Sequence, residues 1–357
     1  MACLCRLPGQ TRICRGYFMM NLIRKAAAGL TKRFPPRGII LMYHRIAKAD
    51  LDPWGLCVSP RHFAEHLEAI KRHFHPLSLH DLCEQCRDGT LPDRSIVLTF
   101  DDGYADNLHT AKPLLEQYRV PATIFLVADI LRDTRHFWWD ELEWALLQPG
   151  TLPAGLELNT NIKSQTWQLG DAIRYNMQER RGDRNRKPWE ASPGTRLAFF
   201  YSVWKHLVLL PKRERAEALD TIRRWAGIDS GSRDETRALH PDEAAVLCQG
   251  GLISLGAHTV THPSLPLLSS ASQLDEIQES KTQLENFLNR PVTSFAYPHG
   301  DYSAETAALV QKSGFQCACT TQSECVSSGA DPFQLPRFQV EDWDGAEFLN
   351  RLLRKTM

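Results

Sequence analysis

Continuous apolar runs alternate with segments whose apolar positions recur every three or four residues, at both ends of the chain but not in its middle. GIILMYHRI (38–46) is an apolar run bounded by Pro-Arg-Gly, which predicts a strand covered on both faces. Ser59-Pro60 opens a predicted helix whose residues Phe63, Leu67, Ile70 and Phe74 share one face. SIVLTF, ending at Phe100, reads as a second buried strand, KPLLEQYRV as a helix and PATIFLVA (121–128) as a third strand. The rhythm returns near residue 240. HPDEAAVLCQGG predicts a helix closed by glycine, and LISLGAHTVTH a strand and its loop. SASQLDEIQESKTQLENFL predicts a helix with a Ser272/Asp275 capping pair, and VTSFAYPHG, AALVQKSGF and CACTT complete strand, helix, strand. Such alternation predicts a parallel sheet, open or closed as a barrel, with its site at the strand C-terminal ends.

Residues 130–240 break that rhythm. They hold most of the nine tryptophans and the charged run QERRGDRNRK, expected as a solvated loop. The stretch reads as a helical insertion whose tryptophans pack between helices rather than stack on a ligand. The predicted division is a tail (1–37), a barrel (38–129 and 241–345) and the insertion (130–240).

Composition changes this picture little. With 357 residues, 43% hydrophobic and 24% charged, the chain can bury a proper core. Lys+Arg and Asp+Glu both number 42, so no net field recruits nucleic acid. Residues 1–37, however, carry basic side chains and no acid. YFMMNLIRKAAAGLTKRF could touch an anionic membrane face as a basic amphipathic helix. The preferred reading is a loose basic tail, or a start at Met19 or Met20. Ten cysteines show no disulfide framework, and Cys83 and Cys86 form a lone C-x-x-C, expected as two small residues on a helix face. A cytoplasmic protein with reduced thiols is the expectation, with peripheral contact at the inner membrane surface as its extension.

Three predicted strand ends carry unusual polar groups: Asp101-Asp102, the pair His258 and His262 in HTVTH, and the turn in FAYPHGDYS. Adjacent carboxylates at the tip of a buried strand need solvent or a cation. One carboxylate and two imidazoles suit a divalent metal, zinc first, leaving the other carboxylate to accept a proton from water.

Together these motifs resemble the polysaccharide deacetylase family (NodB-homology, carbohydrate esterase family 4), over roughly residues 38–128 and 245–340. The resemblance implies a distorted (β/α) barrel of about seven parallel strands, with the helical insertion added. From TFDDGY it implies Asp101 as general base and Asp102 as metal ligand, with Tyr104 near the substrate. From HTVTH it implies His258 and His262 as the remaining ligands of zinc, or of cobalt, nickel or manganese. FAYPHG is similar to the third motif, which implies Tyr297 and Pro298 as groove wall and the His299 backbone N–H as oxyanion donor. Trp343 loosely resembles a substrate-wall tryptophan.

Two departures stand out. Ala296 occupies the place of the family arginine that holds the catalytic aspartate, and Arg337 in LPRFQVEDW is the candidate replacement, against an ordinary surface ion pair. The late L-x-H motif that supplies the general acid is missing. His44 in LMYHRI is the candidate acid, against a hydrogen-bonded structural histidine. The implied activity is metal-dependent removal of an N-acetyl group from an amino-sugar glycan, free or linked to nucleotide or lipid. Alternatives are O-acetyl ester hydrolysis, deformylation of a lipid-linked sugar, and an inactive glycan-binding protein; a redox or metal-storage role for the cysteines has almost no support.

Overall fold

The apolar runs become the strands of one sheet in the computed structural model, which describes residues 37–132, 136–161, 164–184, 186–228 and 236–356. The expected basic tail, apart from Arg37, lies outside them. Strands β1 (Arg37–Tyr43), β2 (Ser95–Phe100), β3 (Ala122–Leu126), β4 (Ile253–Ala257), β5 (Ser294–Ala296) and β6 (Cys317–Cys319) pair in parallel, in the order β6-β5-β4-β3-β2-β1. β1 and β2 are buried almost throughout because helices cover one face and packed side chains the other. Segment 332–335 hydrogen-bonds to the β6 edge, Leu335 N to Ala318 O at 2.9 Å and Thr320 N to Leu335 O at 2.8 Å. The next strand, β7 (Phe338–Gln339), pairs with β1 in parallel. The chain thus laces the two sheet edges together, giving a distorted barrel with seven parallel strands around it. Two short strands, His75–Pro76 and Val326–Ser327, extend β2 and β1.

Register positions the chemistry. Tyr43 lies opposite Phe100, Leu126 opposite Ala257, and Ala257 opposite Phe295. The residues that follow, His44, Asp101 and His258, therefore emerge along the same C-terminal rim. Helix starts follow local signals: Ser59 caps Pro60–His73, accepting from His62 N at 3.4 Å. Leu79–Asp88, carrying Cys83 and Cys86, ends at the left-handed Gly89. Ser269, not Ser272, caps the long helix Ser270–Leu288; its hydroxyl accepts from Ser272 N at 3.3 Å. The seven described cysteines are unpaired thiols, and no helix among the described residues is long and apolar enough to cross a membrane.

The inserted region builds a core of its own. Leu142 on helix Trp138–Leu146, Phe200 and Val203 on Arg196–Leu207, and Leu219 and Ile222 on Lys212–Ala226 bury together, joined by Leu51 from the barrel side. It also contains the antiparallel pair Gly155–Leu158 and Gln165–Gln168, which the helical expectation omitted. Half of the charged run is helix rather than loop, because Asn176 and Glu179 form a reciprocal capping box that starts Met177–Asp183. Trp138 and Trp204 pack against both cores.

Candidate active site and metal centre

The turn after β2 aims two carboxylates in different directions. Asp102 adopts φ 74° and Gly103 φ 95°. A Cβ at Gly103 would sit 2.6 Å from Leu126 Cδ2, so only glycine lets the chain pass β3 so closely.

Asp101 points back under the rim onto Arg337, which is 0% exposed. Its guanidinium donates to Oδ1 at 2.7 Å and Oδ2 at 2.8 Å, a bidentate pair. The fork is itself fixed by Thr320 O at 2.9 Å and Thr99 Oγ1 at 3.1 Å. Burial would raise the Asp101 carboxyl, but the Arg337 charge overrides it and holds the group down at about 2. Ala296 on β5 is fully buried; the arginine comes instead from the residue before β7.

Asp102 points toward the two histidines. Its Oδ1 lies 3.5 Å from His262 Nε2 and 3.7 Å from His258 Nε2, and the three candidate ligand atoms all lie within 4.8 Å of one another. His258 Nδ1 donates to Ala296 O at 2.8 Å, which leaves Nε2 as the lone-pair nitrogen facing Asp102. His262 packs on the Trp139 ring, centroids 4.7 Å apart, and its Nδ1 has no hydrogen-bond partner among the described residues. Burial, then the Asp101 and Asp140 charges, push the Asp102 carboxyl well up, whereas burial and the His299 and His258 rings pull His262 well down. The ligand-type atoms converge in a buried space, and a divalent cation fits this donor set.

The loop carrying the histidines is held from outside. Thr259 (φ 63°) and His262 (φ 57°) are left-handed without being glycine. Glu276, from Ser270–Leu288, accepts from Val260 N at 2.8 Å, Thr261 N at 2.9 Å and Thr261 Oγ1 at 2.7 Å. Arg215, from the insertion, donates to Thr261 O at 3.2 Å while lying over the Trp138 ring. Neither residue was singled out by sequence reasoning. Glu276 sits on the inner face of a helix already explained by its apolar residues, so nothing in its spacing marked it.

His44, Asp101, Asp102, His258, His262, Tyr297 and His299 line one cavity of about 300 Å³. The His44 ring makes no hydrogen bond among the described residues. Burial lowers it to about 4 against the opposing pull of Asp101. Pro298 is buried at the start of the turn, and His299 adopts φ 59°. Two expected residues lie elsewhere. Tyr104 is fully buried, donating to Asp140 Oδ2 at 3.0 Å and accepting from Trp139 Nε1 at 2.7 Å, so it supports the wall from behind. Trp343 lines a separate groove with Lys48 and Asp342 and packs under Arg351. The aromatic side of the cavity is instead Trp54, Trp139, Trp189 and Trp204. Packing alone therefore does not describe the insertion's tryptophans.

A sequence profile of polysaccharide deacetylases matches residues 88–187 and 222–318, together more than half of the chain. The Bacillus subtilis protein YxkH, which bears the polysaccharide deacetylase name, is 20% identical over 308 residues, covering 86% of this chain and 72% of its own. Among solved structures, the Streptococcus pyogenes deacetylase PplD is similar over 91% of this chain and 100% of its own, at 19% identity and a TM-score of 0.56. IcaB from Ammonifex degensii is similar over 90% and 97%, at 14% identity and a TM-score of 0.55. These two are likenesses of fold; membership rests on the profile. By that match the chain belongs to the polysaccharide deacetylase family, the NodB-homology hydrolases of carbohydrate.

Proposed function

We propose that the protein removes an N-acetyl group from an amino sugar within a glycan or glycan precursor, with a divalent cation held by Asp102, His258 and His262. Zinc suits two imidazoles and a carboxylate best; cobalt, nickel and manganese are the other candidates. The observation that carries this reading is the division of labour between neighbours. Asp101 is locked by Arg337 and stays ionised, while Asp102 turns to the histidines a few ångströms away.

A cation bound there supplies Lewis acidity, polarising the acetyl carbonyl and acidifying water. The remaining work falls to the chain. Asp101 accepts the proton of the attacking water, and Arg337 keeps its carboxylate aimed without neutralising it. The His299 backbone N–H, in the turn at the cavity edge, is the assigned donor to the oxyanion. An amine anion cannot depart near pH 7, so breaking a C–N bond requires an acid. His44 is the group in the cavity for that task. Burial keeps it neutral beforehand, so Asp101 passes the proton taken from water to the His44 ring, which gives it to the departing nitrogen as the C–N bond breaks. An acetyl ester would not need this group, and its presence favours N- over O-deacetylation.

Acetate release from N-acetylated amino-sugar oligomers tests the reading. Asp101→Asn should lower kcat by roughly a hundred- to ten-thousandfold while metal content stays unchanged. Chelator should abolish turnover and added zinc restore it. Release that is indifferent to both treatments rules the reading out.

A further inference from the structure

We propose that Cys83 and Cys317 are a redox-active thiol pair, which hydrogen peroxide oxidises to a disulfide that ties helix Leu79–Asp88 to strand β6. The pair lies away from the cavity described above and does not depend on the deacetylase reading.

Spacing gives no reason to join two cysteines so far apart in the chain, but the fold brings them together. Cys83 sits in the middle of helix Leu79–Asp88 and Cys317 is the first residue of β6. Their side chains hydrogen-bond to each other, and both line a second cavity, of about 190 Å³. Thr123, Ser254 and Ser294 border it from the first residues of β3, β4 and β5. The cavity therefore lies at the opposite end of the strands from Asp101 and His258. Arg87, one helical turn beyond Cys83, lines it with Arg290 and His80, and no carboxylate does among the described residues. A partly accessible thiol in electropositive surroundings, touching a second thiol, is placed to be oxidised and then resolved.

The two sulfurs are not equivalent. Cys83 is half-buried, whereas Cys317 is 4% exposed. The hydrogen bond from Cys317, helped by the Arg87 charge, holds the Cys83 thiol below its usual range against burial. The same bond, then burial, push Cys317 well up. Cys83 is thus the attacking sulfur and Cys317 the resolving one. Burial pushes Cys86 up to about 11 and Cys319 up to about 12, so neither competes as a nucleophile. A shared metal ion does not explain the four thiols: among the described residues, only Asp102, His258 and His262 bring three ligand atoms within 4.8 Å of one another. In the first step the Cys83 thiolate attacks one peroxide oxygen and the O–O bond breaks. The departing hydroxide takes up the proton that the thiol released and leaves as water. The Cys317 sulfur then attacks the sulfenic acid, the S–O bond breaks, and its hydroxyl leaves with the Cys317 proton as a second water. Two electrons have passed from the sulfurs to the peroxide.

The test treats the full chain, freed of reductant, with stoichiometric hydrogen peroxide and maps its peptides without reduction, fragment masses assigning the sulfurs. A Cys83–Cys317 link should be the main disulfide, and dithiothreitol should open it. Cys83→Ser should abolish the link, whereas Cys86→Ser and Cys248→Ser should each leave it. In Cys317→Ala the resolving thiol is gone, so dimedone should trap the Cys83 sulfenic acid in about tenfold higher yield than in the parent chain. The parent map decides by itself should Cys317→Ala fail to fold. Thiols untouched by peroxide, a Cys83–Cys86 bridge, or bridges scattered over the cysteines with Cys248 and Cys325 included would overturn the pairing. So would oxidation of Cys83 to the sulfinic acid in the parent chain, because a resolving neighbour forestalls it.

Discussion

The floor of the cavity belongs to the barrel and the far wall to the inserted region, and the two are held in place differently. On the floor, His44, Asp101 and His258, the groups of the proposed chemistry, leave the ends of parallel strands, and the strand register decides their neighbours. Its charges are paired within the barrel, Asp101 with Arg337 and Asp102 with two imidazoles. On the wall, Trp139, Trp189 and Trp204 ride on helices of the inserted region, which builds a separate core, and Trp54 joins them from a turn of the barrel segment. Floor and wall meet where Trp138 and Trp204 pack against both cores and through polar contacts that include Arg215 on the histidine loop, Lys212 on Asp129, and Lys187 on Glu341. A floor built on register tolerates little change, whereas a wall carried on a separate core can vary with less disturbance to the groups below it.

If that contrast is right, the largest loss from a residue that touches no substrate comes at Arg337. Arg337→Ala strands the buried Asp101 carboxylate without its bidentate partner, at a cost of about 3–5 kcal/mol in stability. It also frees Asp101, the proposed base, to rotate, and kcat/KM should fall by roughly a hundredfold or more. Thermal unfolding and steady-state kinetics of the folded fraction read the two effects separately. Undiminished kcat/KM would mean that the floor is not preset by this arginine.

Glu276→Ala should act next in size, and on a different quantity. Its carboxylate holds the backbone between two left-handed residues, so its loss lets His258 and His262, the proposed ligands, spread. Metal affinity should drop about 10- to 100-fold, read by dialysis against graded chelator. Glu276→Gln, which retains one acceptor oxygen, should fall between. Unchanged affinity would show that the loop keeps its shape unaided.

The same contrast explains what could be read from the sequence. Strands buried on both faces leave unbroken apolar runs, so β1, β2 and β3 were legible, and the polar residues at their ends stood out against them. Asp102, His258 and His262 were picked out that way and lie together in the structure, and Arg337, sought because Ala296 stands in the place of the family arginine, lies on Asp101. Tyr104 and Trp343 were misplaced because proximity to a motif says nothing of which way a side chain turns. The tryptophan wall was illegible for a deeper reason. Trp54 and Trp204 lie far apart in sequence, and their 4.8 Å approach depends on how two cores dock. No local period records that.

The smallest effect sets one buried group of the barrel against one of the inserted region by the sign of its pH dependence. In the barrel, His66 is held by Tyr43 and Trp343 O and stacked on Phe348; burial lowers it from 6.5 to about 4. The unfolded chain then binds the proton first, so this group removes stability as pH falls from 6.5 toward 4. On the inserted helix, Glu143 shows the reverse. Burial, then Asp140 and Asp52, raise it from 4.5 to about 8 against the weaker pull of Arg45 and Arg180. Here the folded state keeps a proton that the unfolded chain releases, so stability is lost as pH rises from 4.5 to 8. Glu143→Gln removes that loss. The variant should gain about 1–2 kcal/mol over the parent at pH 8 and little at pH 5, measured by denaturant unfolding at both values. An equal gap at the two pH values would mean that Glu143 ionises in the folded protein much as it does in water.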